Sequence, residues 1–110
     1  MPQNLVRLSF FVFSCSFSQQ VASLEHETEM GRHNSIVQVD SDTYALAYSD
    51  ENEKGWIATF TISSNGSSIT EISSLKHNNN QGLYNSLVQV DSDTYLLAYT
   101  GPGNDGFISS

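Results

Sequence analysis

Cations are scarce in this chain. Four Lys and Arg stand against twelve Asp and Glu, a net charge of −8 over 110 residues. A surface so poor in positive charge cannot neutralise a run of phosphates, which excludes nucleic-acid binding and attraction to anionic membranes. Cysteine is nearly missing as well. The single Cys15 permits neither a disulfide framework nor a thiolate zinc site. No apolar run reaches the eighteen or so residues that a helix needs to cross a bilayer. Charged residues are only 15% of the total, so the polarity comes mainly from Ser, Asn, Thr and Gln. The length predicts one small domain with a single core.

Leu5 to Phe17 reads LVRLSFFVFSCSF and holds four of the six Phe residues. One positive charge, Arg7, precedes a short apolar run that ends in small residues, which is the layout of a secretory signal. Val12-Phe13-Ser14-Cys15 loosely resembles a bacterial lipobox. A degraded strand in residues 5–13 is the competing reading, so residues 1–20 stand as a signal, a lipoprotein segment or a strand.

Self-similarity organises everything that follows. Asn34 to Tyr48 (NSIVQVDSDTYALAY) returns as Asn85 to Tyr99 (NSLVQVDSDTYLLAY), thirteen of fifteen positions identical at an offset of 51 residues. The register extends to both sides. Ser23, Leu24, His26 and Gly31 match Ser74, Leu75, His77 and Gly82, while Gly55, Trp56 and Ile57 match Gly106, Phe107 and Ile108.

Within one period the pattern predicts four strands. Ser35 to Val39 is the first. Asp40-Ser41-Asp42-Thr43 is a turn, because Asp and Ser satisfy nearby backbone groups. Tyr44 to Tyr48 is a short continuous apolar run, as expected of a strand buried on both faces. After a polar loop, Trp56 to Ile62 alternates with period two. Ser64-Asn65-Gly66-Ser67 reads as a hairpin turn in which Asn and Gly take positive φ. Ile69 to Leu75 is the fourth strand, and Asn78 to Gly82 links to the next period. No window has a helical period.

Four antiparallel strands in about 50 residues, repeated, is the blade unit of a β-propeller. The pattern NSLVQVDSDTYLLAYTG…DGFI resembles the propeller repeats of large secreted bacterial proteins and, more distantly, kelch-like repeats. The paired glycines of kelch repeats are missing. The resemblance covers residues 21–110 and implies an all-β fold of antiparallel four-stranded blades. Residues 21–33 then form the end of a preceding blade with its linker, 34–84 the first blade repeat and 85–110 a truncated second. Propellers close with about four to eight blades. Two blades therefore imply a fragment of a longer protein, the favoured reading, or a protomer that completes a ring by association.

Little of the remaining sequence points to chemistry. Gly101-Pro102-Gly103-Asn104-Asp105-Gly106 formally matches G-x-G-x-x-G, yet a strand follows where a dinucleotide site needs a helix. Asp50, Asn52 and Gly55 have calcium-loop spacing, but Lys54 stands where an oxygen is required. The repeated pairs Asp40/Asp42 and Asp91/Asp93 are weak Ca²⁺ candidates, outweighed by their aptitude for turns. His26 and His77 recur a full period apart, so they read as structural rather than zinc-binding. Tyr44, Tyr48, Tyr95 and Tyr99 are inter-blade packing residues, with sugar-ring stacking as the alternative. Asn65-Gly66-Ser67 fits a glycosylation sequon.

The expected function is a non-enzymatic scaffold or binding module without catalytic residues or cofactor, secreted or at the cell surface. Its partners are other blades of the same protein or other copies of the chain, with glycans or protein ligands beyond them. The runner-up readings are part of a carbohydrate-active propeller enzyme and a lectin-like, ring-forming oligomer.

Overall fold

The computed structural model describes residues 20–110. The signal, lipobox and strand readings of Leu5 to Phe17 lie outside the described residues. The fold is all-β. Strands β1 (Arg32–Gln38), β2 (Thr43–Ser49), β3 (Gly55–Ile62) and β4 (Ile69–Asn78) form one antiparallel sheet in that order. Strands β5 (Leu83–Asp91), β6 (Thr94–Thr100) and β7 (Gly106–Ser109) form a second, three-stranded sheet, again in chain order. Consecutive antiparallel neighbours need only short turns, and the Asp- and Asn-containing loops provide them.

The duplication in sequence is a duplication in register. Ser35 pairs with Ala47 and Ile36 with Leu46 in the first sheet; Ser86 pairs with Ala98 and Leu87 with Leu97 in the second. Tyr48 opposite Trp56 likewise returns as Tyr99 opposite Phe107. Even the irregularity recurs. The ladder slips between Arg32 and Ser35, and again between Leu83 and Ser86. At each slip one residue takes a left-handed backbone, His33 with φ 54° and Tyr84 with φ 53°. Glu53 and Asn104 form a second matched pair, with φ 66° and 62°. Positive φ is costly for residues with a Cβ. Its repetition at equivalent positions shows that both bends belong to the repeat.

The expected strands are all present in the first sheet, with corrected bounds. β1 begins at Arg32 rather than Ser35, because backbone pairing resumes on the far side of the bulge. β4 runs on to Asn78, so the Asn-rich link is shorter than expected. Residues 20–31 follow an irregular path and form no ladder. Val21 to Leu24, which matches Ile72 to Leu75, therefore has strand sequence without a strand's partner. The hairpin between β3 and β4 also differs from expectation. Only Gly66 adopts positive φ. Asn65 instead uses Oδ1 to accept the Ser67 amide at 3.0 Å and the Ser63 hydroxyl at 3.0 Å.

Two apolar clusters hold the structure. Leu46, Tyr48, Ala58 and Phe60 form one, on one face of the first sheet, flanked by Trp56 and Ile69. The other face carries the joint: Ala47 of β2 meets Leu97 and Tyr99 of β6, with Ile57 and Leu87 packed around them. β2 is therefore covered on both sides, and Ala45 to Ser49 are all buried. That is what its unbroken apolar sequence required.

Candidate functional site

The most elaborate side-chain arrangement is a buried polar knot where β5 crosses the first sheet. Asn85 is its centre. Its Nδ2 lies 3.2 Å from the Gly82 carbonyl, 3.2 Å from Ser49 Oγ and 3.4 Å from the His33 carbonyl. The Ser49 hydroxyl donates in turn to the Gly82 carbonyl. Both carbonyls are acceptors, which fixes the amide orientation and leaves Asn85 Oδ1 to accept from His77 Nε2 at 3.1 Å. Close by, the Leu87 amide donates to Ser35 Oγ at 3.0 Å, again from one sheet to the other. A buried amide with every group satisfied specifies how two surfaces meet, because a slip strands several groups at once.

Glycine makes room for this knot. A Cβ on Gly82 would lie 2.6 Å from Gly55 Cα and 2.8 Å from His77 Cε1. Gly55 and Gly82 thus let two backbones and an imidazole share one space. The His77 ring stands edge-on to Tyr99 at 4.7 Å, and His26 stands edge-on to Tyr48 at the same 4.7 Å. The two histidines therefore sit at equivalent places in successive repeats. They are not brought together.

Burial holds the His77 pKa below the ordinary histidine value, and the hydrogen bond to Asn85 opposes this only in part. Its Nδ1 is buried without a partner. A protonated ring would carry a second N–H with no acceptor, so the neutral form is the folded one. The unfolded chain takes up its proton near pH 6.5, and the folded chain does so at lower pH. Stability from this group is complete above about pH 6.5 and is lost as the pH falls below that value. Thermal melts from pH 8 down to pH 5 should show a falling midpoint in the wild type. A His77→Gln variant should have a flatter profile over the same range.

The aspartate pairs form matched turns. The Asp42 amide donates to Asp40 Oδ1 at 3.2 Å, and the Asp93 amide to Asp91 Oδ1 at 3.1 Å. Thr43 and Thr94 hydroxyls donate to Asp42 and Asp93 at 3.1 and 3.2 Å. The Thr43 hydroxyl and the Asp42 amide hold Asp40 below the ordinary carboxylate range, and the Asp93 amide does the same for Asp91. Those carboxylates face their own turns. Among the described residues, no group of three His, Cys, Asp or Glu side chains is placed to hold a metal ion.

Asp50 has a different use, which its calcium-like spacing did not reveal. Its Oδ2 accepts the Trp56 indole N–H at 2.8 Å, and Oδ1 accepts the Asn52 and Lys54 amides at 2.9 and 3.0 Å. Burial raises the Asp50 pKa, but the donors outweigh it and the net shift is downward. Asp50 closes a loop. Gly101 to Gly106 is likewise a loop: a single 3₁₀ turn over Pro102–Asn104 leads straight into β7.

The four candidate stacking tyrosines divide by depth. Tyr48 and Tyr99 are buried. Trp56 lies parallel to Tyr48 at 6.5 Å, and Phe107 parallel to Tyr99 at 5.5 Å. Burial, with Glu27, Glu71 and Asp50 nearby, pushes the Tyr48 hydroxyl up to about 12. Tyr95 reaches across the joint, its hydroxyl 3.5 Å from the Val39 carbonyl. Tyr44 is half-buried and lines an apolar recess with Ile36, Leu46 and Phe60.

Large apolar side chains are exposed along residues 20–31, on β4 and on the two outer sheet faces. Ile36 is 60% exposed on the first sheet and Ile108 is 74% exposed on the second. A recess of about 420 Å³ lies beside Ile108, lined also by Tyr84, Ser86, Ala98, Thr100 and Gly106. Comparisons with protein-family models, with curated proteins and with solved structures find no match for this chain.

Proposed function

We propose that this chain is a non-enzymatic scaffold or binding module built from β-propeller blade repeats, and that it belongs to a longer secreted or cell-surface protein. One observation carries the reading: the polar groups of the repeat are spent on turns, on loop closure and on holding the sheets together, and the Asp turns recur in both sheets. The Asp turns are copied pairwise, Asp50 closes a loop, and Asn85 locks one sheet to the next. A hydrolytic site needs an unmatched pair of carboxylates facing a cavity. The recess beside Ile108 has no carboxylate in its lining, and a recess beside Tyr44 and Gly66 has a single one, Asp42. Acidic loops and a polar surface with few cations suit a partner-binding role outside the cell.

Incubation of the purified chain with a panel of polysaccharides, read by release of reducing ends, tests this. No release is expected. Release that disappears in Asp42→Asn or Asp93→Asn would overturn the reading in favour of a carbohydrate-active enzyme. Saturable retention on a glycan or protein array, unaffected by those two substitutions, would support the binding module.

A further inference from the structure

Every contact at the joint between the sheets has a copy that is made nowhere among the described residues. The face of the first sheet that receives the second presents His33, Ser35, Ala47, Ser49, Gly55 and Ile57. The copies of these six, 51 residues later, are Tyr84, Ser86, Ala98, Thr100, Gly106 and Ile108, and they form the recess on the outer face of the second sheet. Ala47 and Ser49 are fully buried, whereas Ala98 and Ile108 are exposed. The face that docks has copies too. Asn85, Leu87, Leu97 and Tyr99 correspond to Asn34, Ile36, Leu46 and Tyr48, on the outer face of the first sheet.

We propose that a second copy of this chain docks head to tail on the first, its Ile36 face seated in the Ile108 recess just as the second sheet seats on the first within one chain. The inference rests on the repeat-scaffold reading and names its partner. The joint already present supplies each expected contact. Asn34 of the second copy reaches the Tyr84 carbonyl and Thr100 Oγ1, as Asn85 reaches the His33 carbonyl and Ser49 Oγ. Ser86 Oγ accepts the Ile36 amide, as Ser35 Oγ accepts that of Leu87.

Glycine provides a separate observation. The space beside Gly55 is filled by His77, but nothing lies within 4 Å of a Cβ built on Gly106. His26 already has the pose of His77, edge-on to its tyrosine and tight against Gly31 as His77 is against Gly82. The His26 ring of the second copy fills the place beside Gly106. β3, the copy of β7, carries β4 on its outer edge. Among the described residues Val21 to Leu24, the copy of Ile72 to Leu75 in β4, form no ladder, and in the docked pair they lie alongside β7. An interface of this head-to-tail kind closes into a ring or continues as a filament.

Light scattering on the full chain, across a wide range of concentration, should give a mass that is a multiple of 12.1 kDa. Ile108→Glu spoils the recess and Ile36→Glu spoils the docking face, each burying an unpaired charge at the contact. Each alone should weaken association by about two orders of magnitude while leaving the far-UV spectrum, and the melt at concentrations where the wild type is dissociated, unchanged. Mixed together, the two variants should form a two-chain species and nothing larger, because one intact recess meets one intact face. Gly106→Ala, which has free space within the chain, should also block association without altering the melt of the dissociated chain. A wild type that is monomeric at every concentration, or single variants that assemble like the wild type, would overturn the proposal. Neither result bears on the polysaccharide assay, so the two readings fail separately.

Discussion

Leu97→Ala should lower the free energy of unfolding by about 2–5 kcal/mol, the range for removing a buried leucine from a packed core. Leu97 is 3% exposed and stands between Ala47 and Tyr99 in the joint between the sheets. Truncation removes apolar area from water-free contact and leaves a void that Ala47, already methyl-sized, cannot fill. The backbone around it is locked by Asn85, which limits collapse of the cavity. Leu46→Ala should fall in the same range, since Leu46 is buried in the other cluster with Tyr48 and Phe60. Urea titrations followed by circular dichroism measure both. A change at Leu97 below about 0.5 kcal/mol, the behaviour of a surface position, would separate the second sheet from the first.

Gly82→Ala tests the tightest approach of a glycine to another stretch of backbone among the described residues. The new Cβ would fall 2.6 Å from Gly55 Cα, and a backbone atom cannot swing aside as a side-chain tip can. One of the two chains must move, and the Asn85 and Ser49 hydrogen bonds to the Gly82 carbonyl move with it. Overpacking costs about 1–3 kcal/mol in ordinary cores and more where relief is blocked, so the expected loss is at or beyond the upper end. Gly106→Ala is the matched control. It adds the same methyl at an open position of a strand and should change the monomer's stability by no more than a few tenths of a kcal/mol. Equal losses at the two glycines would mean that a general intolerance of an added methyl, rather than the packed joint, sets the cost.

The 51-residue offset, the order of strands and the buried character of β2 are all legible in the sequence, because period-two patterning and turn chemistry are local properties. Asp40 and Asp42 read correctly as turn formers for the same reason. The signal failed where a residue's role is set by a distant partner. Asp50 has calcium-like spacing, yet the Trp56 indole six residues away claims its carboxylate. His33 and Tyr84 show no glycine-like signature for their left-handed backbone, since the bulge is imposed by ladder pairing rather than by their side chains. Asn85 had a clue in its repetition as Asn34, though nothing local says that one copy is buried and the other exposed.

The amino-acid sequence alone determined an all-β chain made of one unit used twice, poor in cations and with a single cysteine. Only the tertiary structure decided what the two uses do to each other. Identical side chains at equivalent positions are buried in one sheet and exposed in the other, because burial depends on what packs against a face, and a sequence repeat carries no information about its neighbour. The scarcity of Lys and Arg argues against a partner held through a run of phosphates. The Ile36 and Ile108 faces show which surfaces remain for a partner to cover.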